Sequence, residues 1–271
     1  MNFFKYQSLG NDFILLDWML ENQNFVDQKL SDSNWSNFVR SSCDRHFGIG
    51  ADGILILVNG AIPKALIYNS DGSNGEVCFN GIRCVASHLF TQHKFPKEFD
   101  VLMGKKKIHC KIDSLKDNVA QVITNVGKAI SIEEKTIKID EEIFNGYSVN
   151  VGNPHFIVFK TVSLDWLQKN GSKIETDPNF PNKTNVEFVW PQNVAENFYN
   201  MIVFERGCGI TLACSSGAAA FVSLLHYKKD IEIENVVKIK MPGGFISSWL
   251  TADFDVFQSS SAAMVFKGIV S

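Results

Sequence analysis

The chain of 271 residues has little surplus charge of either sign: 26 basic residues against 29 acidic ones leave a formal net charge of −3. That balance lacks the electrostatic footprint of a nucleic-acid binder, and the lysine run at 105–107 reads as a solvated strand edge. No run of about 18 apolar residues occurs, so no membrane-spanning helix is expected. The first residues, MNFFKYQSLGNDF, lack the basic stretch, apolar core and small-residue cleavage site of an export leader, which predicts a cytoplasmic protein. Cysteine is sparse too. Six (Cys43, Cys78, Cys84, Cys110, Cys208 and Cys214) are too few for a disulfide scaffold in a chain this long. Cys78 with Cys84 and Cys208 with Cys214 stand six positions apart, wider than zinc-motif spacing, and there is no CxxC. No metal and no cofactor is expected, and the default partner is a small molecule.

What is present is the material of a well-cored protein of one large or two ordinary domains, 45% hydrophobic. Short β-branched and aromatic runs such as FFKYQ, FILLDW, GILILV, VAQVIT, HFIVFK, VEFVW and YNMIVFE dominate, with Gly, Asn, Asp or Pro between many of them. Helical periodicity predicts helices near 33–46, 81–94, 163–170 and 216–229. Strands come in runs and do not alternate one for one with helices, so the expected class is α+β.

CFNGIRCVASHLF from Cys78 aligns with CSSGAAAFVSLLH from Cys214: Gly81 meets Gly217, Ser87 meets Ser223 and Leu89 meets Leu225. Upstream, GNDF at 10–13 echoes GNPHF at 152–156. Two matches in order predict two similar β-rich halves, each a curved sheet wrapped on one apolar helix. The expected halves are 1–117 carrying Cys78, completed by the last strand at about 262–271, and 118–261 carrying Cys214. Each cysteine sits where exposed helix amides favour a thiolate. A pseudo-twofold packing would turn both helix starts toward one cleft, with two thiols about one substrate atom and amides beside them for a carboxylate. One thiol removing a proton and the other delivering one to the opposite face is the logic of stereoinversion.

GNDF (10–13), CDRHFGIGADG (43–53), NSDGS (69–73), CFNGIRC (78–84), GNPHF (152–156), TNVEF (184–188), ERGCGIT (205–211) and ACSSGAA (213–219) stand in the order and spacing of the diaminopimelate epimerases, which the chain resembles from residue 2 to about 225. The resemblance implies a cofactor-independent isomerase interconverting LL- and meso-diaminopimelate, a precursor of lysine and of peptidoglycan. It implies Cys78 and Cys214 as the thiol pair, His155 and Glu205 as tuners of their protonation, and Asn11, Asn69, Asn153, Asn185, Glu205 and Arg206 as substrate contacts. It also implies that amides at Phe79, Asn80, Ser215 and Ser216 receive the reacting carboxylate. Phe79 and Ser215 depart from the glycines usual after each thiol, and an inward Phe79 would narrow the site. Cys43, Cys84, Cys110 and Cys208 read as packing thiols. The partner implied is an amino acid, with no nucleic acid and no membrane; a homodimer is compatible with the sequence. Three alternatives stay open: a two-thiol racemase of another amino acid, a thiol-redox protein, and a binding module without turnover.

Overall fold

Apolar runs punctuated by turn residues fold into strands, and the two cysteine-led apolar segments fold into helices. The computed structural model describes every residue except Glu76 and Ser271, and the fold is α+β. It divides into two units, Met1–Thr124 with Ser260–Ser271, and Asn125–Ser259. The first unit contains β1 (Asn2–Ser8), β2 (Asn11–Trp18), α1 (Gln23–Leu30), α2 (Trp35–Cys43), β3 (Gly53–Val58), β4 (Lys64–Asn69), α3 (Phe79–Gln92), β5 (Glu98–Met103), β6 (Lys106–Lys116) and most of β7 (Val119–Gly127). The second contains β8 (Ser131–Ile139), β9 (Glu142–Asn150), β10 (Pro154–Phe159), α4 (Leu164–Glu175), β11 (Asn185–Asn193), β12 (Phe198–Glu205), β13 (Gly209–Thr211), α5 (Ser215–Tyr227), β14 (Val237–Met241), β15 (Gly244–Leu250) and the start of β16 (Val256–Ile269). Asp117 and Asn118, both at positive φ, make a hairpin turn inside the first unit, and the chain passes into the second within β7.

The units repeat one topology. From β1 to β7 successive neighbours pair antiparallel, parallel, antiparallel, parallel, antiparallel and antiparallel. The series β9, β10, β11, β12, β14, β15, β16 pairs in the same senses in the same order. In each unit the long apolar helix packs against strands far apart in its sheet: α3 touches β1 and β6, and α5 touches β9 and β15. The sheets must therefore curve around them.

Residues 79–89 of α3 are all buried, as are ten residues of α5. A second helical layer covers each sheet outside: Trp35, Val39 and Cys43 of α2 pack with Ile14, Leu16, Ile54 and Ile56, and Leu167 and Ile174 of α4 with Val186, Phe188, Ile202 and Phe204. With apolar neighbours on both faces, every residue of β3, GILILV, is buried. Each such Leu, Ile or Phe contributes about 1.5–3 kcal/mol.

α1 was not expected: only Val26 of its residues is buried, so the apolar stripe that marks a helix is missing, and Asn22 starts it by accepting from the Phe25 N–H. α4 runs five residues beyond the expected end at 170, through Asn170 and Gly171. Gly171 is there for packing, since a Cβ would lie 2.3 Å from Phe204 Cδ2. Cys43, Cys84 and Cys110 are buried, but Cys208 is exposed in the turn between β12 and β13, so it is not a packing thiol.

Candidate active site

In the first unit Cys78 is the N-cap of α3, with extended backbone (φ −126°, ψ 108°), and its Sγ accepts from the Gly81 N–H at 3.5 Å. Its own N–H is directed at Met103 Sδ, 3.3 Å away. In the second unit Cys214 caps α5 at φ −121°, ψ 108°, accepts from the Gly217 N–H at 3.3 Å, and directs its N–H at Met241 Sδ at 3.4 Å. Two segments with little sequence in common thus hold their sulfurs in one local geometry. A sulfur acceptor replaces the usual oxygen cap because the cysteine is wanted at that place more than the strongest cap is.

Phe79 and Ser215, which stand where glycine is usual, occupy the first helical position without positive φ, so neither strains the backbone. The Phe79 ring is buried, with Lys106 Nζ 5.5 Å from its centroid. The Ser215 carbonyl accepts from Gln258 Nε2 at 2.8 Å. Asn80 is buried and its Oδ1 accepts from Arg83 Nη2, while Arg83 Nε donates to Ser8 Oγ at 2.9 Å. Complete burial lowers the Arg83 guanidinium to about 10. Asn11, at the start of β2, has a buried Oδ1 with no hydrogen-bond partner among the described residues, and such an atom is costly unless a ligand or water completes it. Asn69 is exposed at the end of β4 and donates through Nδ2 to Ser73 Oγ at 3.0 Å.

The second unit assembles more. His155 on β10 is fully buried, with Nδ1 2.6 Å from Glu187 Oε1 and Nε2 3.1 Å from Asn153 Oδ1. Asn153 Nδ2 in turn donates to Ser216 Oγ at 3.3 Å, and Ser216 Oγ lies 3.4 Å from Cys214 Sγ. A polar chain therefore runs from Glu187 through His155, Asn153 and Ser216 to the sulfur. The ligating atoms of His155, Glu187 and Cys214 all lie within 4.8 Å of one another.

Burial drives the Cys214 thiol well above its ordinary range, and the neighbouring Glu205 and Glu187 carboxyls push it further. The Ser216 hydroxyl and the Gly217 N–H oppose that shift. Glu205 is also raised, first by burial and then by Glu187, against the stabilising hydrogen bonds of Thr211 and the Cys214 thiol. Thr211 Oγ1 donates to Glu205 Oε1 at 2.5 Å.

Asn185 lies buried with Nδ2 donating to the Pro154 carbonyl at 2.8 Å and Oδ1 accepting from the Arg206 N–H at 3.0 Å. It keeps one N–H and one lone pair for anything else. Arg206 is exposed, and its Nη1 donates to the Asn182 carbonyl at 3.2 Å.

Glu187, Thr211 and the two methionines were not singled out by sequence. Glu187 had a signal: in NVEFV a carboxylate alternates with Asn185 on one face of a buried stretch whose other residues are apolar, and a charge there needs a partner.

The model of the family described as diaminopimelate epimerase matches residues 3–132 and 147–265. The chain is 37% identical to the diaminopimelate epimerase of Carboxydothermus hydrogenoformans, over 99% of this chain and 98% of that one. It is 36% identical to that of Elusimicrobium minutum, over 99% of each. Among solved structures, a probable proline racemase from Agrobacterium radiobacter shares the fold over 100% of this chain and 92% of its own, with a TM-score of 0.73 at 11% identity. On the family match over most of its length and on relatives this similar, the chain belongs to the diaminopimelate epimerase family.

Proposed function

We propose that this isomerase interconverts LL- and meso-diaminopimelate by acid and base catalysis at Cα with Cys78 and Cys214. The observation that carries the reading is the paired geometry: two cysteines at helix starts with the same backbone angles, the same glycine N–H on sulfur and the same methionine beneath the amide. In one direction Cys78 as thiolate takes the Cα proton while Cys214 as thiol gives its proton to the opposite face. In the other direction the roles exchange. The raised Cys214 thiol suits the resting donor. Once it has given its proton, the Ser216 hydroxyl and Gly217 N–H hold the sulfur's charge, and Glu205 serves as the adjoining acid or base.

The weak step is ionisation of a carbon beside a carboxylate. The first-turn amides at 79–80 and 215–216 and the two helix ends stabilise the charge that develops there. His155, braced by Glu187, orients Asn153. Asn11, Asn69, Asn185 and Arg206 serve the remaining polar groups of the substrate, with Arg206 facing the distal carboxylate. A cytoplasmic location and an amino-acid partner follow from the same reading.

The test is incubation in deuterated water with LL-diaminopimelate, meso-diaminopimelate and lysine. Exchange at Cα of both diaminopimelates is expected, with lysine slower by about 10³ or more because it leaves the distal site unpaired. Arg206→Met should collapse that preference. Equal rates on lysine would overturn the substrate, and exchange confined to a smaller amino acid would assign the shortened pocket to Phe79.

A further inference from the structure

Away from both sulfurs, the C-terminal end of α3 gathers a second set of polar side chains. Asp17 near the end of β2, His88 in the last turns of α3 and His93 at its C-cap bring one carboxylate oxygen and two ring nitrogens together. Asp17 Oδ2 lies 3.0 Å from His88 Nε2 and 2.7 Å from His93 Nε2, and all three atoms lie within 4.8 Å of one another. The other carboxylate oxygen is fixed by the Met19 N–H at 3.1 Å. His88 is fully buried, its ring edge-on to Phe4 with centroids 4.6 Å apart, and its Nδ1 lies 3.2 Å from the Tyr6 hydroxyl. The His93 and Asp17 side chains remain 21% and 19% exposed, so the cluster is open to solvent on one side.

We propose that Asp17, His88 and His93 form a binding site for a divalent transition ion, zinc being the best match, with a water as fourth ligand. Two imidazoles and a carboxylate make a borderline set suited to Zn²⁺, and three protein ligands with one open position complete a tetrahedron. Tetrahedral bonds of about 2.0–2.1 Å place ligand atoms about 3.3 Å apart, so the two measured separations need to widen by only a few tenths of an ångström. Both rings present Nε2. When a metal takes the lone pair of His88, its proton sits on Nδ1 and is donated to the Tyr6 oxygen, which accepts as readily as it donates. The heavy atoms of that outer contact need not move. The cation would sit at the C-terminal end of a 14-residue helix, where the dipole favours positive charge, and would tie β2 to α3. The spacing hides this site from sequence: the histidines stand five apart, off one helical face, and the aspartate is 71 residues before His88. The cluster of His155, Glu187 and Cys214 is a different matter, being part of the proposed reaction site.

The test strips the full-length protein with a chelator and titrates it with Co²⁺ as a visible probe, followed by Zn²⁺. One equivalent of four-coordinate Co²⁺ absorbance, displaced by Zn²⁺, is expected. His93→Gln should weaken binding by about 100-fold or more, while Cys214→Ala should leave it within about twofold. In the unmodified protein, Zn²⁺ should shift the Nε2 resonances of His88 and His93 and leave those of His155 in place, a reading that does not depend on any variant folding. Absence of binding, absorbance that survives in folded His93→Gln, absorbance lost in Cys214→Ala, or unmoved Nε2 resonances at saturating Zn²⁺ would each overturn the site.

Discussion

The two units share a frame and differ in what they bury behind the capping cysteine. Phe13 pairs with Gly53 across the parallel strands β2 and β3, and His155 pairs with Asn185 across β10 and β11. Two residues on in the second strand of each pair come Leu55 and Glu187. The helix glycines report the same equivalence: a Cβ on Gly81 would lie 3.0 Å from Leu55 Cδ2, and one on Gly217 would lie 2.6 Å from Glu187 Oε1. At the end of the next strand, Asn69 in one unit answers to Glu205 in the other, each nine residues before its cysteine. Phenylalanine, leucine and asparagine in the first unit thus stand where the second has histidine and two glutamates. The cap, the sheet and the central helix are duplicated, whereas at these three positions the titrating side chains belong to the second unit. A buried polar pair is seldom a gain over apolar packing, so a His–Glu pair kept where the sister unit manages with Phe and Leu points to chemistry.

Removing either sulfur tests what the units share. Cys78→Ala and Cys214→Ala should each lower kcat/KM by about 10³ or more, roughly 4 kcal/mol of transition-state stabilisation, with the fold intact by circular dichroism. Retention of a tenth of the activity by either variant would end the two-thiol reading. Exchanging the buried pair tests what they do not share. Leu55→Glu, which buries a carboxylate with no histidine beside it, should cost about 3–5 kcal/mol in denaturant unfolding.

Glu187→Gln keeps the volume and removes the charge beside His155. It should lower kcat by about 10²-fold, roughly 2.7 kcal/mol, and alter the pH profile of kcat. An unchanged profile would leave Glu187 with a packing role only. Gly217→Ala should reduce activity about tenfold more than Gly81→Ala, because it meets a carboxylate held by His155, whereas Gly81→Ala meets the end of a leucine that can turn aside.

The smallest effect concerns pH. Burial leads the upward shift of Glu205, so its contribution to stability is complete below about pH 4.3 and is lost as pH rises through its raised value. Asp17 in the first unit goes the other way: burial would raise it, but hydrogen bonds from His88, the Met19 N–H and His93 prevail and bring it to about 2. Its contribution is present above about pH 3.9 and fades as pH falls toward about 2. Unfolding free energies measured against pH should show Glu205→Gln gaining on the parent protein as pH rises above about 4.3, and Asp17→Asn losing ground to it as pH rises from about 2 to about 4, by about 1–2 kcal/mol once solvent screening is allowed for.

Much of this could be read without coordinates, for reasons that lie in local physics. The strands of β3 and β10 announce themselves by β-branched runs, and the helices α3 and α5 by apolar segments behind a Cys-x-x-Gly start. Each rests on a side-chain pattern a few residues long. β5 and β15 were not read as strands, because EFDVLM and GFISSWL mix charge or serine into runs whose partners lie elsewhere in the chain. α1 lacked its stripe, and the length of α4 depended on Phe204 filling the notch at Gly171.

The sequence by itself determined the class of fold, the internal repeat and the family, and pointed to the two sulfurs, since all of these rest on order and periodicity along one dimension. Tertiary structure alone decided that Glu187 braces His155, that Cys214 lies in a setting that keeps its proton, that Cys208 faces solvent, and that Asp17 meets two histidines 71 and 76 residues away. Those depend on strand register and on burial, which exist only once distant segments have packed, and on charges whose strength is set by how much water the packing leaves around them.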